Sequence, residues 1–455
     1  MNKNYKDLVA QKQISLIRKG IAYIDKQSKE GIDVEQSALC YLNTWANVPG
    51  HALLKFWQNG IKSFFNFLFV WTKSFLGILT LHNFELALSK TRSKSYKNIV
   101  VSWCRREDFD NADGYNDRYF KTRSNADKSI LWFLISIDNF LPLSLDENVI
   151  IFYKKKSFLK YNIFSFFKII YSEFISNSFS LNRILHKLSY DSIFSQIVAN
   201  KLIDSISDKS IENICLPYEA QPLHNNIFSK IKSSFDNVKT VGYLHSALPP
   251  LMTDLIYRNG APDKLFVHGV GQIEILNTLL NWPKETLFFT KSFRYRQDDL
   301  FKMQGIVFLP YDFFNLKLYT QEFEYFLKNS KIASLPNLKI RNHPNQSKSS
   351  KHLRLIEKLN TIILKYKNRF SENITNTSVF IGATASIIEA LEQNIKVVHI
   401  TTDPIFESHS SEIWNHISVE TISKNIFIYS LNKNEMYINR GDNNLSLNSF
   451  FTNNN

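Results

Sequence analysis

The alternation of short β-branched runs with longer helical stretches constrains this chain more than any other feature. Residues 98–103 (NIVVSW), 148–153 (NVIIFY), 213–217 (NICLP), 239–244 (KTVGYL) and 264–267 (KLFV) read as strands. Residues 130–140, 164–176, 191–205, 222–234 and 270–280 between them read as helices. Strands that take turns with helices imply βαβ units and a parallel sheet. A second series follows. Residues 305–309, 338–341, 378–381, 396–400 and 426–429 read as strands, and 320–329, 351–367 and 385–392 as helices. A basic, polar stretch at 287–304 separates the two series.

The fold class expected is α/β, with two Rossmann-like domains facing a cleft and a helical extension in front. The expected units are a helical extension over 1–95, a first Rossmann-like domain over 96–295, a second over 296–432, and a loose, Asn- and Ser-rich tail over 433–455. A length of 455 residues fits two or three domains. In open parallel sheets, ligands sit outside the carboxyl ends of the strands, so chemistry is sought in the residues that follow each strand.

Lys and Arg number 55 against 41 Asp and Glu, a formal net charge of +14. Polyanionic partners explain such an excess. An AT-rich coding bias toward Lys, Asn, Ile and Phe explains it equally well. Cys40, Cys104 and Cys215 lie far apart, with no metal-ligand spacing and no disulfide framework. No metal site is expected. The polar start MNKNYKDLVAQKQ carries no signal-like apolar run, so a cytoplasmic chain is expected. Residues 64–81 (FFNFLFVWTKSFLGILTL) nearly reach bilayer-spanning length, but Asn66, Thr72, Lys73 and Ser74 interrupt them. A buried helix, an interfacial amphipathic helix and a membrane span all remain open for this segment.

Five stretches could carry chemistry. In 379–391 (VFIGATASIIEAL) a strand ends at Gly382, and Thr384 and Ser386 open a helix. Small residues and free N–H groups there suit a phosphate, and Glu389 suits a ribose hydroxyl. In KIRNHP, Pro344 holds His343 extended after a strand, and Arg341, His343 and Lys348 could neutralise phosphates. Glu219 in LPYEAQP and His245 in VGYLHSALPP each follow a strand, and either could take a proton from a hydroxyl. Asp108 and Asp110 form a D-x-D spacing within a mixed-charge run that reads mainly as a solvated loop. P-loop, HExxH, GxSxG, kinase and nucleic-acid-binding signatures are absent, so a nucleic-acid partner would rest on charge alone.

The two Rossmann-like series, the His-Pro pair and the turn Gly382–Ala383–Thr384–Ala385–Ser386–Ile387–Ile388–Glu389–Ala390 resemble GT-B glycosyltransferases. NDRYF at 116–120, LPYEAQPLHN at 216–225 and GYLHSALPP at 242–250 look like a bacterial family of surface carbohydrate biosynthesis proteins. The resemblance covers roughly residues 97–430. The His-Pro element is also similar to that of polysialyltransferases, which use CMP-activated sugars.

The resemblance implies a metal-independent glycosyltransferase of lipopolysaccharide, O-antigen or capsule assembly. It implies a nucleotide-sugar co-substrate, CMP- or UDP-linked, with His343, Thr384 and Ser386 on its phosphate and Glu389 on its ribose, and the reading of the residues adds Arg341 and Gly382 to that donor site. It also implies a glycan or lipid-linked acceptor; the basic surface and the segment 64–81, which lies outside the resemblance, are expected to hold the chain near the inner face of the membrane, where such acceptors sit. The acidic element that supplies the base in polysialyltransferases has no clear counterpart after a strand, so Glu219 and His245 both stand as the base. A nucleotide-sugar epimerase of the same fold, and a non-catalytic glycan- or partner-binding protein, are the alternative readings.

Overall fold

The structure, a computed structural model, describes residues 3–44, 47–79, 81–88, 96–110, 114–158, 171, 181–206, 211–296, 303–311, 313, 315–329, 338–343, 346, 349–370, 376–442 and 445–452. It is mixed α/β, built on two largely parallel sheets. Apart from Tyr171, which is helical, the helix expected over 164–176 lies outside the described residues, as do Pro344 and Lys348.

The first sheet has eight strands: β1 (His82–Leu88), β2 (Asn98–Cys104), β5 (Ile130–Ser136), β6 (Val149–Phe158), β7 (Asn213–Pro217), β8 (Lys239–Tyr243), β9 (Lys264–Val267) and β10 (Leu287–Phe289). Their order is β1-β6-β5-β2-β7-β8-β9-β10. All neighbours are parallel except β1, which runs antiparallel along the edge of β6. From β2 the chain moves outward through β5 to β6. It then returns to lay β7 on the other side of β2, so the strand order reverses between β2 and β7. The short strands β3 (Phe109–Asp110) and β4 (Gly114–Tyr115) form a separate hairpin ladder.

The second sheet has six strands: β12 (Ile306–Phe308), β13 (Lys339–Arg341), β14 (Thr377–Ile381), β15 (Lys396–Ile400), β16 (Ile417–Ser423) and β17 (Ile426–Leu431). Their order is β13-β12-β14-β15-β17-β16. The first four are parallel, and β17 and β16 complete the sheet antiparallel. Here the order reverses between β12 and β14.

The helices are α1 (Lys3–Lys29), α2 (Pro49–Asn59), α3 (Phe64–Leu79), α4 (Tyr190–Ser205), α5 (Pro222–Ser234), α6 (Val270–Leu279), α7 (Leu316–Asn329), α8 (Ser350–Lys365) and α9 (Ser386–Leu391), with shorter ones at Leu181–Lys187 and Pro404–Glu407. Helix α8 shows why such segments form. Leu355, Leu359 and Ile363 recur at helical spacing and are buried, in one cluster with Tyr319, Phe323 and Phe326 of α7.

Three expectations are corrected. Residues 130–136 (ILWFLIS) form a strand, not a helix, buried on both faces between β2 and β6. The segment in front of residue 96 is not an appended helical extension. Strand β1 belongs to the first sheet, and α1 reaches the second half, where the Gln13 amide donates to the carbonyls of Ile405 (2.9 Å) and Ser408 (2.8 Å). The tail is not loose. Tyr437 and Ile438 are buried, β18 (Arg440–Gly441) pairs with β11 (Ser292–Arg296), and Phe450 packs on Phe266 and Phe293 of the first half. The apolar residues spaced through this Asn- and Ser-rich stretch outweigh its polar composition, because each removes its side chain from water. One contiguous apolar cluster contains Leu216, Leu244 and Leu276 from the first half and Phe308, Phe380 and Trp414 from the second.

Candidate functional site

A cavity of about 410 Å³ lies at the carboxyl ends of both sheets. Glu219 and Gln221, just after β7, line one side, and Leu244 with Ser246 to Pro249, just after β8, continue it. Tyr311, after β12, and Ala385, after β14, line the other. So the carboxyl ends of β7 and β8 in the first sheet and the strand-order reversal between β12 and β14 in the second open on one space, the position that parallel sheets favour for ligands.

On the first-sheet side, Glu219 Oε1 lies 3.2 Å from His245 Nε2. The sequence offered these two residues as alternatives, and the fold joins them. Glu219 is held by several groups. The Gln221 amide donates to its Oε2 (2.8 Å), and its own N–H donates to His224 Nδ1 (3.1 Å). Burial works to raise the Glu219 carboxyl, but the hydrogen bond and charge of His245, with His224 and Gln221, outweigh it and hold the group at about 2. Burial pushes the His224 imidazole down to about 4, against the pull of Glu219. The Glu219 side chain is 40% exposed and that of His245 5%, so the carboxylate faces the cavity and the imidazole stands behind it.

The neighbouring motif residues are positioning residues. Tyr218 donates to Asn225 Oδ1 (2.7 Å), and Asn225 donates to the carbonyl of Ala220 (3.0 Å), which also accepts from Arg258 (2.7 Å). These bonds hold Ala220 at φ +50°, a left-handed turn that non-glycine residues seldom adopt, and so aim Glu219 outward. In NDRYF, buried Asp117 accepts from Ser102, from Tyr115 (2.5 Å) and from the amides of Tyr119 and Phe120 (2.8 and 2.7 Å). That loop sets the Tyr119 ring edge-on to His245, 4.6 Å between centroids. Asp108 of the D-x-D spacing is bound by Arg118 (2.6 and 2.8 Å) and by the Arg105 amide (2.7 Å), so its charge is already met within the loop. Among the described residues no group of three His, Cys, Asp or Glu could hold a metal ion.

The second carboxyl of the cavity is Asp254, which the sequence reading missed because LMTDLIYR carries no signal. Asp254 is 6% exposed and lines the cavity beside Asn43 and Tyr41, residues of the N-terminal segment. Asn43 donates to its Oδ2 (3.3 Å), and its Oδ1 has no partner among the described residues. Burial raises the carboxyl to about 7, with Arg258 opposing and Glu219 adding to the rise.

On the second-sheet side the expected phosphate turn is only partly as read. Gly382 has φ +67°, and a Cβ there would come within 2.8 Å of the Tyr319 hydroxyl, so glycine is needed for the turn itself. The Thr384 hydroxyl accepts from the Ser386 amide (3.3 Å), which takes up one of the N–H groups expected to face an anion. Helix α9 spans six residues, too short for much of a dipole. Positive charge comes instead from arginines. Burial raises the Glu389 carboxyl, against the opposing charges of Arg440, Arg294 and Arg341. Arg294 also feels Glu219, which links the two sides of the site. Arg294 and Arg440 were not singled out from the sequence, because they fall in the stretches read as a linker and a loose tail. Arg440 Nη2 is buried with no partner among the described residues. His343 is half-buried, its ring edge-on to Tyr311 at 5.2 Å, and burial, then His352, lowers its pKa.

Neither a known family nor a curated protein matches the sequence. Among solved structures, the chain is similar to the N-terminal domain of Candida albicans trehalose-6-phosphate phosphatase. That likeness has 13% identity over 68% of this chain and 84% of that one, with a TM-score of 0.34. It is also similar to Arabidopsis thaliana UGT89C1 complexed with UDP-L-rhamnose, at 10% identity over 69% of this chain and 81% of that one, with a TM-score of 0.33. Likeness at this level carries neither the fold nor the activity across.

Proposed function

We propose that the chain is a glycosyltransferase of GT-B type, moving a sugar from a nucleotide-sugar to a hydroxyl of a surface glycan or lipid-linked acceptor. The observation that carries the reading is the cavity on which the carboxyl ends of strands from both sheets open. It has the Glu219–His245 pair on one side, and Arg294 relates that pair to the arginines around Glu389. In this reading Arg294, Arg341 and Arg440 face the donor's phosphates, with Gly382, Thr384, Ser386 and His343 shaping that wall. Glu219, which His245 keeps ionised and oriented, accepts a hydrogen bond from a neighbouring hydroxyl of the acceptor, and the reacting hydroxyl faces Asp254.

The acceptor oxygen then bonds to the anomeric carbon. The bond from that carbon to the phosphate oxygen breaks, and its electron pair leaves with the phosphate. The arginines stabilise the charge that develops there. The proton passes to Asp254, whose affinity near neutral pH suits a general base better than that of Glu219. A place in surface polysaccharide assembly on the cytoplasmic side rests on the sequence resemblance alone.

The test is a thermal-shift screen of CMP, CDP, UDP, GDP and ADP on the wild type and on Arg440→Ala. A nucleotide at about a hundred times its Kd stabilises the folded chain by about 2.7 kcal/mol. A shift with one nucleotide, lost in Arg440→Ala, supports the donor site. No shift with any of them overturns it.

A further inference from the structure

Helix α3 leaves an apolar face in water. Its inner side packs on the protein: Val70 and Ile78 are buried, the Trp71 indole donates to the Leu185 carbonyl (3.3 Å), and Ser74 accepts from the Tyr190 amide (3.2 Å). Its outer side is also apolar. Ile61, in the turn before the helix, is 83% exposed, Phe65 76%, Phe69 66%, Leu76 49% and Leu79 60%. At 3.6 residues per turn these side chains fall within an arc of about 100°. Folded chains seldom leave such a stripe uncovered.

Charge favours one kind of cover. From Glu35 to Glu85 the sequence holds no other Asp or Glu, while Lys55, Lys62 and Lys73 fall within that interval. Lys62 and Lys73 are exposed and border the stripe on the same side. The helix has 16 residues, and among the described residues no helix is long and apolar enough to cross a membrane. A short apolar face edged by lysines and free of carboxylates is the pattern of a helix lying flat in an anionic lipid surface.

We propose that Ile61 and the outer face of α3 insert into the headgroup region of an anionic phospholipid bilayer. Behind the helix, Phe84, Trp103, Tyr190 and Phe194 line a second cavity of about 370 Å³. Gln221 borders both that cavity and the one at Glu219, so a bilayer under α3 lies on the Glu219 side of the site. The docking face stands whether or not the chain transfers sugars.

The test uses the full chain without nucleotide or sugar. Sucrose-loaded vesicles of phosphatidylglycerol and phosphatidylcholine in equal parts, or of phosphatidylcholine alone, are pelleted with wild type, Phe65→Ser/Phe69→Ser and Lys62→Glu/Lys73→Glu. The wild type should pellet with the anionic vesicles, and less so in about 1 M salt, where screening shortens to about 3 Å. Each double variant should partition about tenfold more weakly or worse, with an unchanged circular dichroism melt. A wild type that stays in solution with both vesicles overturns the proposal, as does equal pelleting of all three proteins. So does a wild-type dimer that Phe65→Ser/Phe69→Ser splits without changing vesicle binding, because a second copy then covers the face.

Discussion

Replacing Asp254 by asparagine should make the protein more stable near pH 8 while removing the proposed proton acceptor. Burial raises the carboxyl from 3.8 to about 7, with Arg258 opposing the rise and Glu219 adding to it. Tyr41, whose hydroxyl accepts from Asn43, also faces this group. The folded chain thus holds the proton more tightly than the unfolded chain. The stability this contributes is whole below about pH 4 and is lost as pH rises through about 7. A difference of about 3 units at about 1.4 kcal/mol each gives a ceiling of about 4 kcal/mol. Unfolding entropy of about 2.1 cal/mol/K per residue makes about 1 kcal/mol/K for a chain of 455 residues. The side-chain amide of Asp254→Asn carries no charge, so the variant's melting temperature should exceed the wild type's by up to about 4 °C near pH 8, and by close to nothing near pH 4. Calorimetric melts of both proteins across that range measure the gap. A gap that does not change with pH, or a variant less stable near pH 8, would refute the buried-carboxyl reasoning.

Other outcomes follow from the same geometry. His245→Ala should lower transfer by about a hundredfold or more yet leave the nucleotide-induced thermal shift intact, which separates the acceptor side from the donor side. Arg294→Ala should weaken both activity and nucleotide binding, since Arg294 feels Glu219 and Glu389 together. Tyr437→Ala removes a fully buried ring stacked edge-on to Trp414 at 4.8 Å and should cost about 3–5 kcal/mol in urea unfolding. Gly382→Ala forces a Cβ toward Tyr319 at positive φ and should cost about 1–3 kcal/mol, measured the same way.

Much of the strand pattern was legible because several runs are short, apolar and bounded by polar residues. NICLP, KLFV and KVVHI form strands over the same residues in which the sequence showed them. ILWFLIS misled for a physical reason. A strand buried on both faces has no alternation, and its apolar run cannot be told from a buried helix by periodicity. Glu219 and His245 were visible as residues following strands, but their pairing depends on β7 and β8 lying side by side, which local sequence does not encode. Asp254 and Arg440 acquire meaning only through distant partners, Asn43 for one and Glu389 for the other. The tail misled because composition averages over a stretch, whereas Tyr437, Leu447 and Phe450 act as single anchors.

The bonds from Gln13 to Ile405 and Ser408 also set an order of events during synthesis. Their partners are separated by 392 and 395 positions in the chain. At about 5–20 residues per second, α1 waits roughly 20–80 s on the ribosome before the segment it binds exists. The strand β18, which pairs with Ser292 and Arg296, comes later still. Neither half can therefore be finished before residues 440–450 have been made. The nascent protein spends that interval with the apolar face of α3 and the docking side of α1 both unpartnered, and a chaperone or lipid surface that covers them would govern how much of it matures.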